Sequence, residues 1–197
     1  HQFQLGDSVA APWVMGETLK LWFEPDNVGS GVEDVVDNID GIETSVREEG
    51  NIKITEVKVI NENGANSIGK PIGSYITIDI KELKIATDES IENYGNVLSS
   101  ELKKLIDKHS TKQDEILVVG LGNIYVTPDS LGPKVINEID VTRHILKYMP
   151  EVLDENTRAV SAVSPGVLGT TGIETQEILK GIRDNVKPQL VIIIDAL

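Results

Sequence analysis

Three short apolar runs, two of which leave through glycine-rich loops, do most to decide what this chain can fold into. Ile116 to Val119 runs into Gly120-Leu-Gly122. Residues 158–163 run into Ser164-Pro-Gly-Val-Leu-Gly-Thr-Thr-Gly172, and Leu190 to Ile194 ends directly at Asp195. The stretches between them read as helices, from about 130 to 148 and from 172 to 184. Strands alternating with helices indicate βαβ units. The fold class expected is therefore α/β: a mostly parallel sheet with flanking helices, plus a β-rich N-terminal part packed on the sheet or extending it. If the strands at 116–120 and 190–195 are parallel, Asp129, which follows the first, and Asp195, at the end of the other, leave on the same edge. In open α/β sheets that edge, outside the carboxyl ends of the strands, is where ligands sit.

The preceding residues fit a β-rich part. From Gly41 to Ile80 the pattern is β, with Ile52 and Ile54 on one parity and Val57 and Val59 on the other, which predicts a bulge near Thr55-Glu56. Asn61-Glu-Asn-Gly64 reads as a turn. Tyr75 to Ile80 alternates as a half-buried strand does, with Asp79 facing solvent. Residues 88–109 read as a helix with an apolar stripe at Ile91, Tyr94, Leu98, Leu102 and Leu105, capped by Thr87 or Asp88. His109 lies where the helix dipole favours a cation. Residues 1–31 stand apart: both tryptophans and both phenylalanines lie there, followed by Gly29-Ser-Gly31. A tag, a linker or an amphipathic segment that docks elsewhere all fit. The domain expected thus spans 32–197.

Charge and composition remove whole classes of function. The net charge of -14 argues against nucleic acid as a direct ligand, because phosphate binding needs a basic surface. Cysteine is absent, so no disulfide or zinc-thiolate site exists. His144 has no second histidine at metal-ligand spacing. The longest apolar run, Leu190 to Ile194, is far too short to span a membrane, and no signal peptide is visible. Neither a phosphate-binding loop ending in Gly-Lys-Ser/Thr nor a dinucleotide fingerprint is present, and Ser161 and Ser164 lack the Gly-x-Ser-x-Gly setting. No cofactor and no metal is demanded.

What remains is the aspartate pair. Two neighbouring carboxylates cannot both ionise cheaply, so the pair holds one proton. The charged member can activate water while the neutral one donates a proton. Each aspartate also has a structural reading: Asp129 as a helix-start partner, Asp195 as a carboxylate drawn toward burial directly after an apolar run. Asn123 and the Thr170-Thr171 loop line the same edge and fit substrate binding, with turn and cap roles as the alternative. In the cap reading, Thr171 and Glu174 form a capping box.

Several motifs carry a family resemblance. Gly69-Lys-Pro-Ile-Gly73, Val119-Gly-Leu-Gly-Asn123, Val126-Thr-Pro-Asp-Ser-Leu-Gly-Pro133, Val141-Thr-Arg-His144, Val163-Ser-Pro-Gly-Val-Leu-Gly-Thr-Thr-Gly-Ile-Glu-Thr175 and Ile194-Asp-Ala-Leu197 resemble the germination protease of spore-forming Firmicutes. The resemblance runs from about residue 32 to the end. It implies an atypical aspartic endopeptidase that degrades small acid-soluble spore proteins at germination, in the cytoplasm of the spore core. It implies Asp129 and Asp195 as catalytic residues, a homotetramer, and a zymogen that loses an N-terminal propeptide. It also implies a fold similar to the hydrogenase-maturation proteases, which are the competing reading among enzymes. The family has Arg-Thr-Asp-Leu-Ala where this chain has Leu5-Gly-Asp-Ser-Val9, and it continues beyond the Asp-Ala-Leu motif. From that departure the expectation is a domain incomplete at its C-terminus, active as a protease or kept as a peptide-binding or partner-binding module.

Overall fold

The computed structural model of the chain describes residues 17–22, 39–80 and 83–196. These fall in two compact units, one within residues 12–106 and one within residues 107–197. The fold is α/β, with one sheet in each unit.

The first unit is built on a four-stranded sheet of order β1-β4-β3-β2 (β1 Glu17–Trp22, β2 Ile42–Glu49, β3 Ile52–Val59, β4 Gly73–Ile80). β2, β3 and β4 pair antiparallel, and β1 runs parallel to β4, with Leu19 opposite Ile76. β1 lies inside the segment that the sequence sets apart, whose other residues, 1–16 and 23–31, lie outside the described ones. The bulge expected near Thr55-Glu56 is absent, since β3 pairs residue for residue from Ile52↔Ile80 to Val59↔Gly73. The parity changes because β3 is buried on both faces: Ile52 and Ile54 on one, Thr55, Val57 and Val59 on the other. A strand covered on both sides has no single apolar parity to read.

Asn61-Glu-Asn-Gly64 opens a helix rather than closing a turn. In α1 (Glu62–Ile68) the Asn61 Oδ1 accepts the Gly64 N–H at 3.0 Å, an N-cap, and Gly69 ends the helix in the left-handed region. The same asparagine chemistry serves turns and caps, so composition does not separate them. The predicted long helix is present as α2 (Asp88–His109), capped by Thr87, whose Oγ1 accepts the Ser90 N–H at 3.3 Å. Tyr94 and Val97 pack on Ile52, Ile54, Ile76, Ile78 and Ile80, with Leu98 and Leu105 beside them. Ile91, expected in the stripe, is 54% exposed, and Val97 and Glu101 are buried instead. Glu101 is tolerated there because its carboxylate meets Lys104 Nζ at 2.7 Å and the Arg47 guanidinium from β2. Burial works to raise the Glu101 carboxyl, and the hydrogen bonds from Lys104 and Arg47 overcome it and hold the group below the usual range.

The second unit contains the predicted parallel sheet, of order β6-β5-β7 (β5 Ile116–Gly120, β6 Val160–Val163, β7 Leu190–Ile194). β5 is buried along its whole length, as a central parallel strand must be. Its odd-numbered face, Leu117 and Val119, packs with Leu179 and Ile182 of α6 (Thr175–Val186). At Gly120 its other face meets α3 (Leu131–Asn137), and a Cβ there would lie 2.3 Å from the Gly132 carbonyl oxygen. The helix expected over 130–148 is broken into α3 and α4 (Arg143–Tyr148). Thr142 explains the break. Its N–H donates to the Val160 carbonyl at 3.0 Å, and its Oγ1 accepts the Val160 N–H at 2.9 Å and donates to the Arg158 carbonyl. The backbone at 142 is thus committed to the start of β6 and cannot continue a helix.

Candidate functional site

The strand order fixes where a site forms. From β5 the chain crosses to β6 on one flank, then returns past β5 to β7 on the other. The crossovers β5→β6 and β6→β7 thus run in opposite directions across the sheet, and ligands bind at such a switch point, outside the carboxyl ends of β5 and β7. The Leu121 N–H donates to the Ile194 carbonyl at 2.8 Å, so the two strand exits leave side by side. The β5 exit leads through Gly122, Asn123 and a short 3-10 turn, Thr127–Asp129, into α3. The β7 exit is Asp195.

Asp129 is held by backbone. Its Oδ2 accepts the Asn123 N–H at 2.8 Å, and its own carbonyl oxygen lies 3.0 Å from the same nitrogen. The loop closes this tightly because residue 122 is a glycine at φ +115°; a Cβ there would be 2.1 Å from the Asp129 carbonyl oxygen. Gly132 has the same role one turn on, where a Cβ would be 2.3 Å from the Leu121 carbonyl oxygen and 2.7 Å from that of Ile194. The first turn of α3 therefore rests on the backbones of both strand exits.

Asp195 is half-buried beyond β7, and its Oδ1 accepts the Ala196 N–H at 2.9 Å. Burial raises its carboxyl above the ordinary aspartate range. The Ala196 hydrogen bond works the other way, and the Asp129 charge adds to the rise. The two aspartates are thus electrostatic neighbours at one edge. Chemically the arrangement offers a half-buried carboxyl, raised by burial, on the same edge as a second carboxyl oriented by an amide N–H.

Asn123 and Thr170 line a cleft of about 330 Å³ between the β5–α3 loop and the loop after β6. Thr171 does not line it. That residue closes the last turn of α5 (Leu168–Thr171), its Oγ1 lying 3.2 and 3.0 Å from the Val167 and Ile173 carbonyl oxygens, to one of which its single proton is donated. The capping box expected between Thr171 and Glu174 does not form, because Gly172 ends α5 in the left-handed region and α6 starts at Thr175. The pairing Gly120-Leu-Gly122 signals a close backbone approach in the sequence, but the partners it admits, Asp129 and Gly132, become visible only in the fold. The cleft walls Ile124, Tyr125 and Val167 were not singled out by sequence reasoning, since isolated apolar loop residues carry no periodicity. Among the described residues no group of three His, Asp or Glu side chains is placed to hold a metal, and no helix is long and apolar enough to cross a membrane.

By fold and site, the second unit is an α/β domain with two interacting carboxyls at its switch point. Comparison with known sequences narrows this class. The family described as germination protease matches residues 21–197. The chain is 48% identical to the germination protease of Clostridium acetobutylicum over 158 residues, covering 80% of this chain and 48% of that protein. With the germination protease of Caldanaerobacter subterraneus the identity is 52% over 155 residues, 78% of this chain and 47% of that one. With that of Bacillus cereus it is 40% over 160 residues, 81% and 43%. The chain belongs to the germination protease family. It spans about half the length of these curated relatives.

Proposed function

We propose that this chain carries the catalytic pair of a spore-germination endopeptidase, with Asp195 as the proton-holding acid and Asp129 as the base. The observation that carries this reading is the Asp195 carboxyl, raised by burial and further by the Asp129 charge, at a switch-point edge. Asp129 takes a proton from water as the oxygen attacks the scissile carbonyl carbon. Asp195 gives its proton to the carbonyl oxygen, forming a neutral tetrahedral diol. Asp129 then returns the proton to the amide nitrogen as the C–N bond breaks, and Asp195 recovers its own from a diol hydroxyl. The products are a carboxylic acid and an amine, and both aspartates regain their starting states. Asn123 orients Asp129 through its N–H, and Thr170 stands across the neighbouring cleft to bind substrate. Thr171 supports that loop from behind.

Family membership supports small acid-soluble spore proteins as substrate, together with a fold akin to the hydrogenase-maturation proteases, a zymogen precursor, a homotetramer and residence in the spore core. Digestion of a recombinant small acid-soluble spore protein, read by mass spectrometry, tests the core of the reading. Discrete fragments are expected from the parent and none from Asp129→Asn or Asp195→Asn; cleavage at the parental rate by either variant overturns the pair. A peptide-binding module is the second reading, favoured by the outer edges of β6 and β7, unpaired among the described residues. Bound but uncut substrate from the folded parent would select it.

A further inference from the structure

The side chain of Asn123 has an end that its own loop does not use. Its Oδ1 accepts the Tyr125 N–H at 3.0 Å, an Asx turn that fixes the carboxamide and leaves Nδ2 as its other end. Among the described residues Nδ2 has no acceptor, although Asn123 is half-buried in the cleft wall. A half-buried donor without a protein acceptor is open to an oxygen of a ligand. The other polar side chains of the wall are placed differently. The Thr170 Oγ1 donates its proton to the Val167 carbonyl at 2.9 Å, and Ser164 and Asn137 stand exposed. Of these four, only Asn123 is bonded to the aspartate pair, since its backbone N–H meets Asp129 Oδ2 at 2.8 Å. One residue thus joins the proposed base, through its main chain, to the wall where substrate would lie.

We infer that the Asn123 carboxamide is a further catalytic group: its Nδ2–H donates to the scissile carbonyl oxygen and holds that oxygen into the tetrahedral state. The inference rests on the endopeptidase reading for the reaction, and it adds the group that polarises the carbonyl. A carbonyl oxygen has two lone pairs. One receives the Asp195 proton in the mechanism above. The second is met by Nδ2–H, which keeps its proton throughout. The oxygen gains negative charge as water attacks, so this hydrogen bond strengthens between the planar amide and the tetrahedral state, and only such a difference accelerates the step. No residue lining the cleft carries a charge, so a neutral amide is the donor that the wall offers to the developing charge.

Asn123→Ser separates this role from the turn. A serine hydroxyl still accepts the Tyr125 N–H, and the backbone N–H still holds Asp129, but the amide donor is gone. With a recombinant small acid-soluble spore protein as substrate, kcat is expected to fall about ten- to a hundredfold with KM unchanged. The pH profile of kcat is expected to keep its shape, because neither aspartate loses a contact. Binding is read without turnover on the nitrogen-15-labelled chain, using N-acetyl-dialanyl difluoromethyl ketone, whose hydrate is a stable gem-diol. The diol is expected to move the Asn123 side-chain amide protons downfield and to bind Asn123→Ser about tenfold more weakly. The planar N-acetyl-dialanine methylamide is expected to separate parent and variant far less. Parental kcat in Asn123→Ser, a loss carried by KM alone, or a diol that leaves the Asn123 side-chain protons in place overturns the donor and leaves the aspartate pair standing. Cleavage at the parental rate by Asp129→Asn, with the diol still shifting Asn123, removes the pair and keeps the donor.

Discussion

Gly122→Ala tests whether the position of Asp129 is set by backbone contact. A Cβ at residue 122 would stand 2.1 Å from the Asp129 carbonyl oxygen and 2.8 Å from its Oδ1. Ordinary van der Waals contact begins at 3.4 Å, so the carbonyl must retreat by about 1.3 Å. Two costs combine: the positive φ, at about 1–2 kcal/mol for a residue with a Cβ, and overpacking against main chain, at about 1–3 kcal/mol. The expected loss is roughly 2–5 kcal/mol in the second unit, with loss of cleavage because the carboxylate moves with its carbonyl. Two controls in the same unit separate the terms. Gly172 has φ +68° with nothing within 4 Å of a Cβ, so Gly172→Ala carries the backbone cost alone. Gly181, inside α6, also has open space, and Gly181→Ala is expected to gain about 1 kcal/mol from helix propensity. Hydrogen exchange of the β5 amides, followed by mass spectrometry, reads the stability of this unit directly. A Gly122→Ala loss no larger than that of Gly172→Ala would refute the claim of a backbone-on-backbone contact.

The two shifted carboxyls, half-buried Asp195 and buried Glu101, predict opposite responses to acid. Asp195 is raised, so its stability contribution is complete below the ordinary value of 3.8 and is lost as pH rises through the folded value. Asp195→Asn is therefore at least as stable as the parent at neutral pH and loses that advantage on acidification, as thermal melts across pH will record. Glu101 is lowered, so its contribution is present above the ordinary 4.5 and is lost as pH falls through the folded value. Glu101→Gln should cost roughly 1–2 kcal/mol at neutral pH, a screened figure because Arg47 and Lys104 are 40% and 58% exposed, and should flatten the acid limb of urea unfolding in the first unit. Thr142→Val removes both hydroxyl bonds to the β6 start and is expected to cost about 1–3 kcal/mol, seen as faster exchange at Val160.

Local signals in the sequence were enough to place β5, β7 and α2, because each is a continuous apolar run or an apolar stripe of helical period. The common edge of Asp129 and Asp195 was legible too, since it follows from parallel strands alone. What was not legible depends on partners far along the chain. The gap between α3 and α4 arises from Thr142 bonding to residue 160, and helix propensity in 130–148 contains no trace of that. The absent bulge in β3 reflects cover on both faces, while the pattern was read for one. Thr171 and Glu174 have the spacing of a capping box, but Gly172 turns left-handed between them and ends the preceding helix instead. The cleft walls escaped for a related reason: loop side chains acquire a common surface only once two strand exits bring their loops together.

Gly120, Gly122 and Gly132 have a consequence for how this family can vary. A protein core usually absorbs substitution by repacking side chains, which have rotamers to spare. Here α3 is seated on two strand exits through carbonyl oxygens and bare Cα atoms, and such a seat has no rotamers. Apart from the two aspartates, a saturation scan read by cleavage should therefore show its sharpest intolerance at three residues that have no side chain to bury, with a single methyl group as disruptive as a bulky one. Neighbouring apolar positions such as Val118 and Ile136 should accept exchanges among aliphatics.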